Sequence, residues 1–421
     1  MVPDKPMHVA IIDEELPFPM TSGKRLRTLN LVSRLADRHE ITYICHRNED
    51  DEELENAKQH FAELGIECIV VEQVAKSPFG ALGFYAGLAS NLLSPVPFSV
   101  QRHTSTALSS AVKELADRKP IDLWHCEWTP YAATLQSTQG NESKSIGPVV
   151  VMAHNVESLI WQRYYESESN PVKKWYIGEQ WRKYRKFEQQ VFAGVERVIT
   201  VSDADADLAR EKFGAERLAV VDNGVDVDFF VPSDEPAKAD RILFLGSLDW
   251  RPNLDGVRVL LEQIFPEVIA QHPSAELWLV GRKPPSWLTK LVDAMPQVQL
   301  HADVPDVRPY MNQCGLMAVP LRIGGGSRLK ILEAAAAGMP VVSTRVGAEG
   351  LHLDHETHYI QVEDVSQMAD ALVRCMQDEN ACQSMAARAR ELVLKRYSWD
   401  RLADRLDETW RECALEPAIA N

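Results

Sequence analysis

Residues 324–350 read GGGSRLKILEAAAAGMPVVSTRVGAEG, and this stretch decides the fold. An apolar run, 316–319, precedes it and ends at Pro320. Three glycines and a serine then lead into a helical stretch. Gly338 is its C-cap signal, and Pro340 blocks continuation. A second apolar run, 340–343, ends in a second glycine loop, 346–350. Strand, glycine turn, helix and strand make one unit of a parallel sheet with crossover helices. The turn offers free backbone N–H groups and the positive end of a helix dipole. Arg328 and Lys330 put two cations where that dipole disfavours them, so an anion between them restores the balance, and a diphosphate fits. Glu333, one turn on, can accept hydrogen bonds from paired ribose hydroxyls. A glycine loop alone is weak evidence, and Glu333 alone reads equally well as a solvated helix residue.

Outward from this stretch the same alternation fills the chain. Short apolar runs at 8–12, 41–45, 68–71, 123–126, 149–153, 197–201 and 218–221 read as strands. Amphipathic stretches at 24–37, 50–64, 104–118, 172–192 and 203–213 separate them. The pattern restarts after 232–240, a two-proline segment of mixed charge that reads as a connector. Strands are expected at 242–245, 276–280, 298–301, 316–319 and 340–343, and helices at 254–265, 287–294, 306–312, 329–337, 365–377 and 381–396. The expected organisation is a first α/β domain over 1–231, a connector over 232–240 and a second α/β domain over 241–397. A final helix, 398–415, is expected to return to the first domain. With 421 residues, two cores are the default. Ligands of such sheets sit beyond the carboxyl ends of the strands, so a cleft between two domains is the natural site.

The net charge of -16 argues against a general nucleic-acid partner. Seven scattered cysteines, none in a CxxC pair, argue against a disulfide framework or a zinc site and fit a reducing cytoplasm. The apolar run before Asp13, Glu14 and Glu15 is too short for a signal peptide. The stretch 77–100 is interrupted by Gly80, Gly83, Gly87, Pro95 and Pro97 and reads as a buried or interfacial helix. No GxGxxG follows the first strand, which disfavours an oxidoreductase.

Three stretches carry a resemblance: FLGSLDWRPN at 244–253, VPDVRPY at 304–310 and PLRIGGGSRLKILE at 320–333. In the first half HNVE at 154–157, Val201-Ser202 and NGVD at 223–226 add to it. In this order they resemble retaining glycosyltransferases of the GT-B fold, glycosyltransferase family 4 (group 1). More narrowly, they are similar to bacterial sugar transferases of exopolysaccharide and exosortase systems. The resemblance implies two Rossmann-like domains whose parallel sheets face a central cleft. It implies transfer of a sugar from a nucleoside diphosphate, UDP or GDP, to a glycan or lipid-linked acceptor with retention of configuration. Arg251 would meet the diphosphate. Gly23 would match the glycine loop of the acceptor domain, although an ordinary helix start explains it equally well. His154, at the carboxyl end of a strand, matches the active-site histidine and would lie near the transferred sugar. The catalytic set is then His154, Arg251 and Lys330. The donor set is Gly23, Arg251, Gly325, Gly326, Ser327, Arg328, Lys330 and Glu333. The family's E-x7-E pair is incomplete, because Gly325 stands where the first glutamate belongs. That puts the donor sugar in doubt more than the reaction.

No metal is expected if Arg251, Arg328 and Lys330 supply the charge. Asp203-Ala-Asp205 and Asp205-Ala-Asp207 formally fit a metal motif but read better as acids in a helix's first turn. Residues 161–192 interleave aromatic and basic side chains. They read as a packed helix with solvated cations or, alternatively, as a surface for the cytoplasmic face of the inner membrane. A sugar-nucleotide-binding protein without turnover, or an epimerase of the same fold, stays open as a different class.

Overall fold

The computed structural model describes residues 5–72, 80–138, 147–323 and 328–415. Gly325, Gly326 and Ser327 of the expected donor loop therefore lie outside the described residues. The chain divides into two compact units, Met1–Asp222 with Leu402–Asn421, and Asn223–Arg401.

The first unit is built on β1 (His8–Asp13), β2 (Glu40–His46), β3 (Glu67–Val71), β4 (Leu123–Cys126), β5 (Val149–Ala153), β6 (Arg197–Thr200) and β7 (Leu218–Val220). Their order across the sheet is β3-β2-β1-β4-β5-β6-β7, all parallel. Helices cover both faces of such a sheet, so central strands read as unbroken apolar runs. β1 and β5 are buried along their whole length. Beside them Trp124, Tyr131 and Tyr184 fill the core. The last helix, Trp399–Leu415, belongs to this unit from Leu402 onward. Its Trp410 is fully buried.

The second unit holds β8 (Lys238–Leu245), β9 (Glu276–Gly281), β10 (Val298–Ala302), β11 (Cys314–Val319), β12 (Val341–Thr344) and β13 (Ile360–Val362). Their order is β10-β9-β8-β11-β12-β13, again all parallel. In both sheets the chain runs outward one way for three strands and then returns to the other side of the first. The order reverses between β1 and β4, and between β8 and β11. At such a switch point the loops leaving adjacent strands diverge and open a crevice at the carboxyl edge.

Several elements differ from the sequence expectation. β8 begins at Lys238, inside the segment read as a connector. β13 was not expected at all. The helix expected at 254–265 is one helical run from Arg251 to Gln271, with a π turn at Leu260–Ile264. Pro266 has no N–H to give an α-helix, and the wider turn just before it absorbs the loss. Within 77–100 the described helices are Gly80–Asn91 and Phe98–His103. No helix among the described residues is long and apolar enough to cross a membrane. Asp203 and Asp205 lie in the first turn of the helix Asp203–Phe213, which Ser202 caps.

Candidate functional site

In the second unit the crevice lies beyond β8 and β11. β8 leaves through Gly246, Ser247 and Leu248 to Arg251, the first residue of the helix Arg251–Val259. β11 leaves through Pro320 to the helix Leu329–Ala336, whose N-cap is Arg328. Lys330 ties the two together. Its Nζ donates to Oδ1 of the buried Asn253 at 2.9 Å and stands 5.1 Å from the centre of the Phe244 ring. Asn253 in turn donates from Nδ2 to the Ser247 carbonyl at 2.8 Å. Gly246 makes room for this arrangement. A Cβ there would lie 2.7 Å from Lys330 Nζ and 2.8 Å from Asn253 Nδ2. Gly246→Ala is therefore expected to displace the ammonium and weaken binding of nucleoside diphosphates severalfold. Calorimetry checks this, with the melting midpoint reporting that the fold has survived.

Burial pulls the Lys330 ammonium down to about 8, with Arg328 acting the same way and Glu333 opposing. Burial also pushes the Glu333 carboxyl up to about 7, against the pull of Lys330. Glu333 is half-buried, and its carboxylate takes no hydrogen bond from any described residue. Such a carboxyl close to a lowered lysine, at a sheet's carboxyl edge, is a frequent mark of a ligand site. Arg328, expected to bracket an anion with Lys330, is the N-cap of the helix Leu329–Ala336. It is almost fully buried and donates from Nη2 to the Val346 carbonyl at 2.9 Å. It thereby ties the start of its helix to the glycine loop after β12. That loop hugs the strand ends, since a Cβ on Gly347 would lie 2.3 Å from Ser343 Oγ. Arg251 is exposed, two residues from Asn253.

In the first unit the residues beyond β1, β4 and β5 form a second group. Asp13 is buried at the end of β1, where it accepts from Lys24 Nζ at 2.6 Å and from the Tyr43 hydroxyl at 2.6 Å. His154 follows β5, and its Nε2 lies 3.3 Å from Oε1 of Glu127, the residue after β4. The segment after His154 is pinned. Glu188, wholly buried, accepts the backbone N–H groups of Glu157 at 2.6 Å and Ser158 at 3.1 Å. Trp128 Nε1 donates to the Glu157 carboxylate at 2.9 Å. Gly23 is the exposed first residue of the helix Gly23–Ala36, whose cap is Ser22. That position is the one both readings of Gly23 share.

Sequence reading missed Asn253 as the partner of Lys330, Gly246 as the space for it, and Glu127 as the partner of His154. The first two lay inside a recognised stretch, where only a three-dimensional contact gives them meaning. Glu127 had a visible signal, a carboxylate directly after an apolar strand.

Residues 22–229 match a family model described as Glycosyltransferase Family 4, and residues 239–378 one described as Glycosyl transferases group 1. An uncharacterized 44.6 kDa protein in the cps region of Klebsiella pneumoniae is 21% identical over 407 residues, covering 92% of this chain and 96% of that protein. The phosphatidyl-myo-inositol mannosyltransferase of Mycolicibacterium smegmatis is 29% identical over 214 residues, 48% of this chain. This chain spans 53% of that relative's length. Among solved structures, Anabaena Alr3699/HepE in complex with UDP and glucose aligns with a TM-score of 0.61 at 17% identity, over 96% of this chain and 100% of that one. At such identity the likeness is one of fold.

Proposed function

Because this chain is a glycosyltransferase of the GT-B fold, we propose that it moves a sugar from a nucleoside diphosphate sugar to a hydroxyl of a glycan or lipid-linked acceptor, with retention of configuration. The observation that carries the donor assignment is the Lys330–Glu333 pair at the β8/β11 switch point. The ammonium is pulled down and the carboxyl pushed up, and Glu333 has no partner among the described residues. A diphosphate would supply the counter-charge of Lys330, and two ribose hydroxyls would fill the lone pairs of Glu333. The UDP and glucose bound by the Anabaena neighbour support the same reading.

In this mechanism Arg251 and Lys330 hold the diphosphate. Arg328 acts less directly, by holding the loop after β12 against the helix start. These cations take the part a metal plays elsewhere in stabilising the leaving phosphate. The bond from the anomeric carbon to the phosphate oxygen breaks. The acceptor oxygen bonds to that carbon on the same face, and its proton passes to the departing phosphate. His154 meets the transferred sugar and favours its developing positive charge. The missing carboxylate at Gly325 leaves the choice of sugar to other contacts. The cps-region relative fits a place in polysaccharide synthesis.

A thermal-shift screen with UDP-, GDP-, ADP- and dTDP-sugars tests the donor site, because a ligand that binds only the folded chain raises its melting point. One nucleotide is expected to stand out; no shift at millimolar concentration would sink the assignment. His154→Ala should lower transfer by ~10²–10³-fold and leave nucleotide affinity within about twofold, and unchanged transfer would remove His154 from the mechanism. NMR of the product's anomeric proton should show the donor's configuration, and inversion would overturn retention.

A further inference from the structure

Glu127 sits at the centre of a buried polar group that the mechanism above leaves unused. It follows β4, and its backbone N–H donates to the Ile12 carbonyl at 2.9 Å. His125, two residues earlier, shares its side of the extended chain. Nε2 of His125 lies 3.0 Å from Glu127 Oε2. The other carboxylate oxygen accepts the Thr28 hydroxyl at 2.8 Å and lies 3.3 Å from Nε2 of His154. Both histidine nitrogens are sealed from solvent and make no ideal hydrogen bond, and the Glu127 carboxylate stands 3.0 Å from one and 3.3 Å from the other.

The proton positions can be assigned. Trp410 donates its indole N–H to His125 Nδ1 at 2.9 Å. An indole nitrogen only donates, so His125 Nδ1 accepts and Nε2 carries the proton toward Glu127. Burial alone would raise the Glu127 carboxyl, but His125 and His154 hold it well below the usual carboxylate range. An ionised carboxylate only accepts. The nitrogen of His154 that faces it must carry a proton. That leaves Nδ1, which has no partner among the described residues.

We infer that Glu127 is the positioning residue for His154, fixing its ring as the Nε2–H form and leaving Nδ1 to meet the substrate. This rests on the proposed role of His154. A free imidazole divides itself between two tautomers and several rotamers. A partner behind a functional histidine removes that freedom, and behind a metal-bound histidine the loss of such a partner typically costs ~10–100-fold. Thr28 and the Trp410–His125 pair hold the carboxylate from its other sides.

Two measurements test this. Long-range 15N–1H NMR of the wild-type chain at pH 8 should show His154 protonated on Nε2, and an Nδ1–H ring overturns the inference with no variant needed. The second is a double-mutant cycle of Glu127→Gln and His154→Ala, following nucleoside diphosphate release from the sugar nucleotide that gives the largest thermal shift. Glu127→Gln alone should lower turnover by ~10–100-fold with the donor KM within about twofold. In the His154→Ala background it should cost nothing further, since its route of action is gone. An equal loss in both backgrounds means Glu127 acts through the fold, which refutes the inference and spares His154. Undiminished release by His154→Ala refutes the role of His154 itself.

Discussion

Lys330→Met is expected to lower kcat/KM for transfer by ~10²–10³-fold, the usual cost of deleting one preorganised charge from a site where negative charge develops. The leaving diphosphate gains charge as the glycosidic bond breaks. The Lys330 ammonium stands at the carboxyl edge of the sheet, braced by Asn253 and the face of Phe244. Methionine keeps the length of the side chain and loses the charge. The loss should appear mainly in kcat, because the contact strengthens as the bond breaks. The empty protein should melt no earlier than the wild type. Burial already disfavours the ammonium, and an apolar side chain relieves that cost. Turnover within threefold of wild type would remove Lys330 from the chemistry.

Glu333→Ala is expected to weaken nucleotide binding by ~10–100-fold, the equivalent of one or two hydrogen bonds to a charged acceptor. Calorimetry with the selected nucleoside diphosphate measures it. The pH dependence gives a second signature. Glu333 must be ionised to accept two hydroxyls, and its carboxyl sits near about 7, so affinity should fall as pH drops through that value. Lys330 must be protonated to meet the phosphates, and its ammonium sits near about 8, so affinity should fall as pH rises past it. Wild-type affinity should peak between the two. Glu333→Ala should erase the acid limb and Lys330→Met the alkaline one. A flat profile from pH 6 to 9 would contradict both assignments.

The sheets were legible because their central strands are buried on both faces and so read as unbroken apolar runs. Where burial is partial the signal fades. β8 opens with Lys238, Ala239, Asp240 and Arg241, none of them buried, so its first half resembled a connector. β13 has three residues, one of them Gln361, too few for any periodicity. The helix expected to end at 265 runs on past Pro266 through a π turn. Arg328, Lys330 and Glu333 lie within six residues of one another, so this group could be singled out from the sequence. In the first unit only His154 could be read, because its setting is made by contacts remote in sequence. Thr28 reaches Glu127 across 99 residues and Trp410 reaches His125 across 285, distances at which no local pattern survives.

That last contact sets a timetable for the newborn chain. Trp410 leaves the ribosome after His125 by roughly 15–60 s at ~5–20 residues per second. Throughout that interval the whole Asn223–Arg401 unit is being made and can fold. The first unit, started earlier, is completed later, because its helix Trp399–Leu415 follows the second unit in sequence. A polypeptide cut short before residue 402 would keep the Asn223–Arg401 unit while lacking the indole that donates to His125. Such an unfinished chain would carry the whole second sheet with the Trp410–His125 contact still unmade.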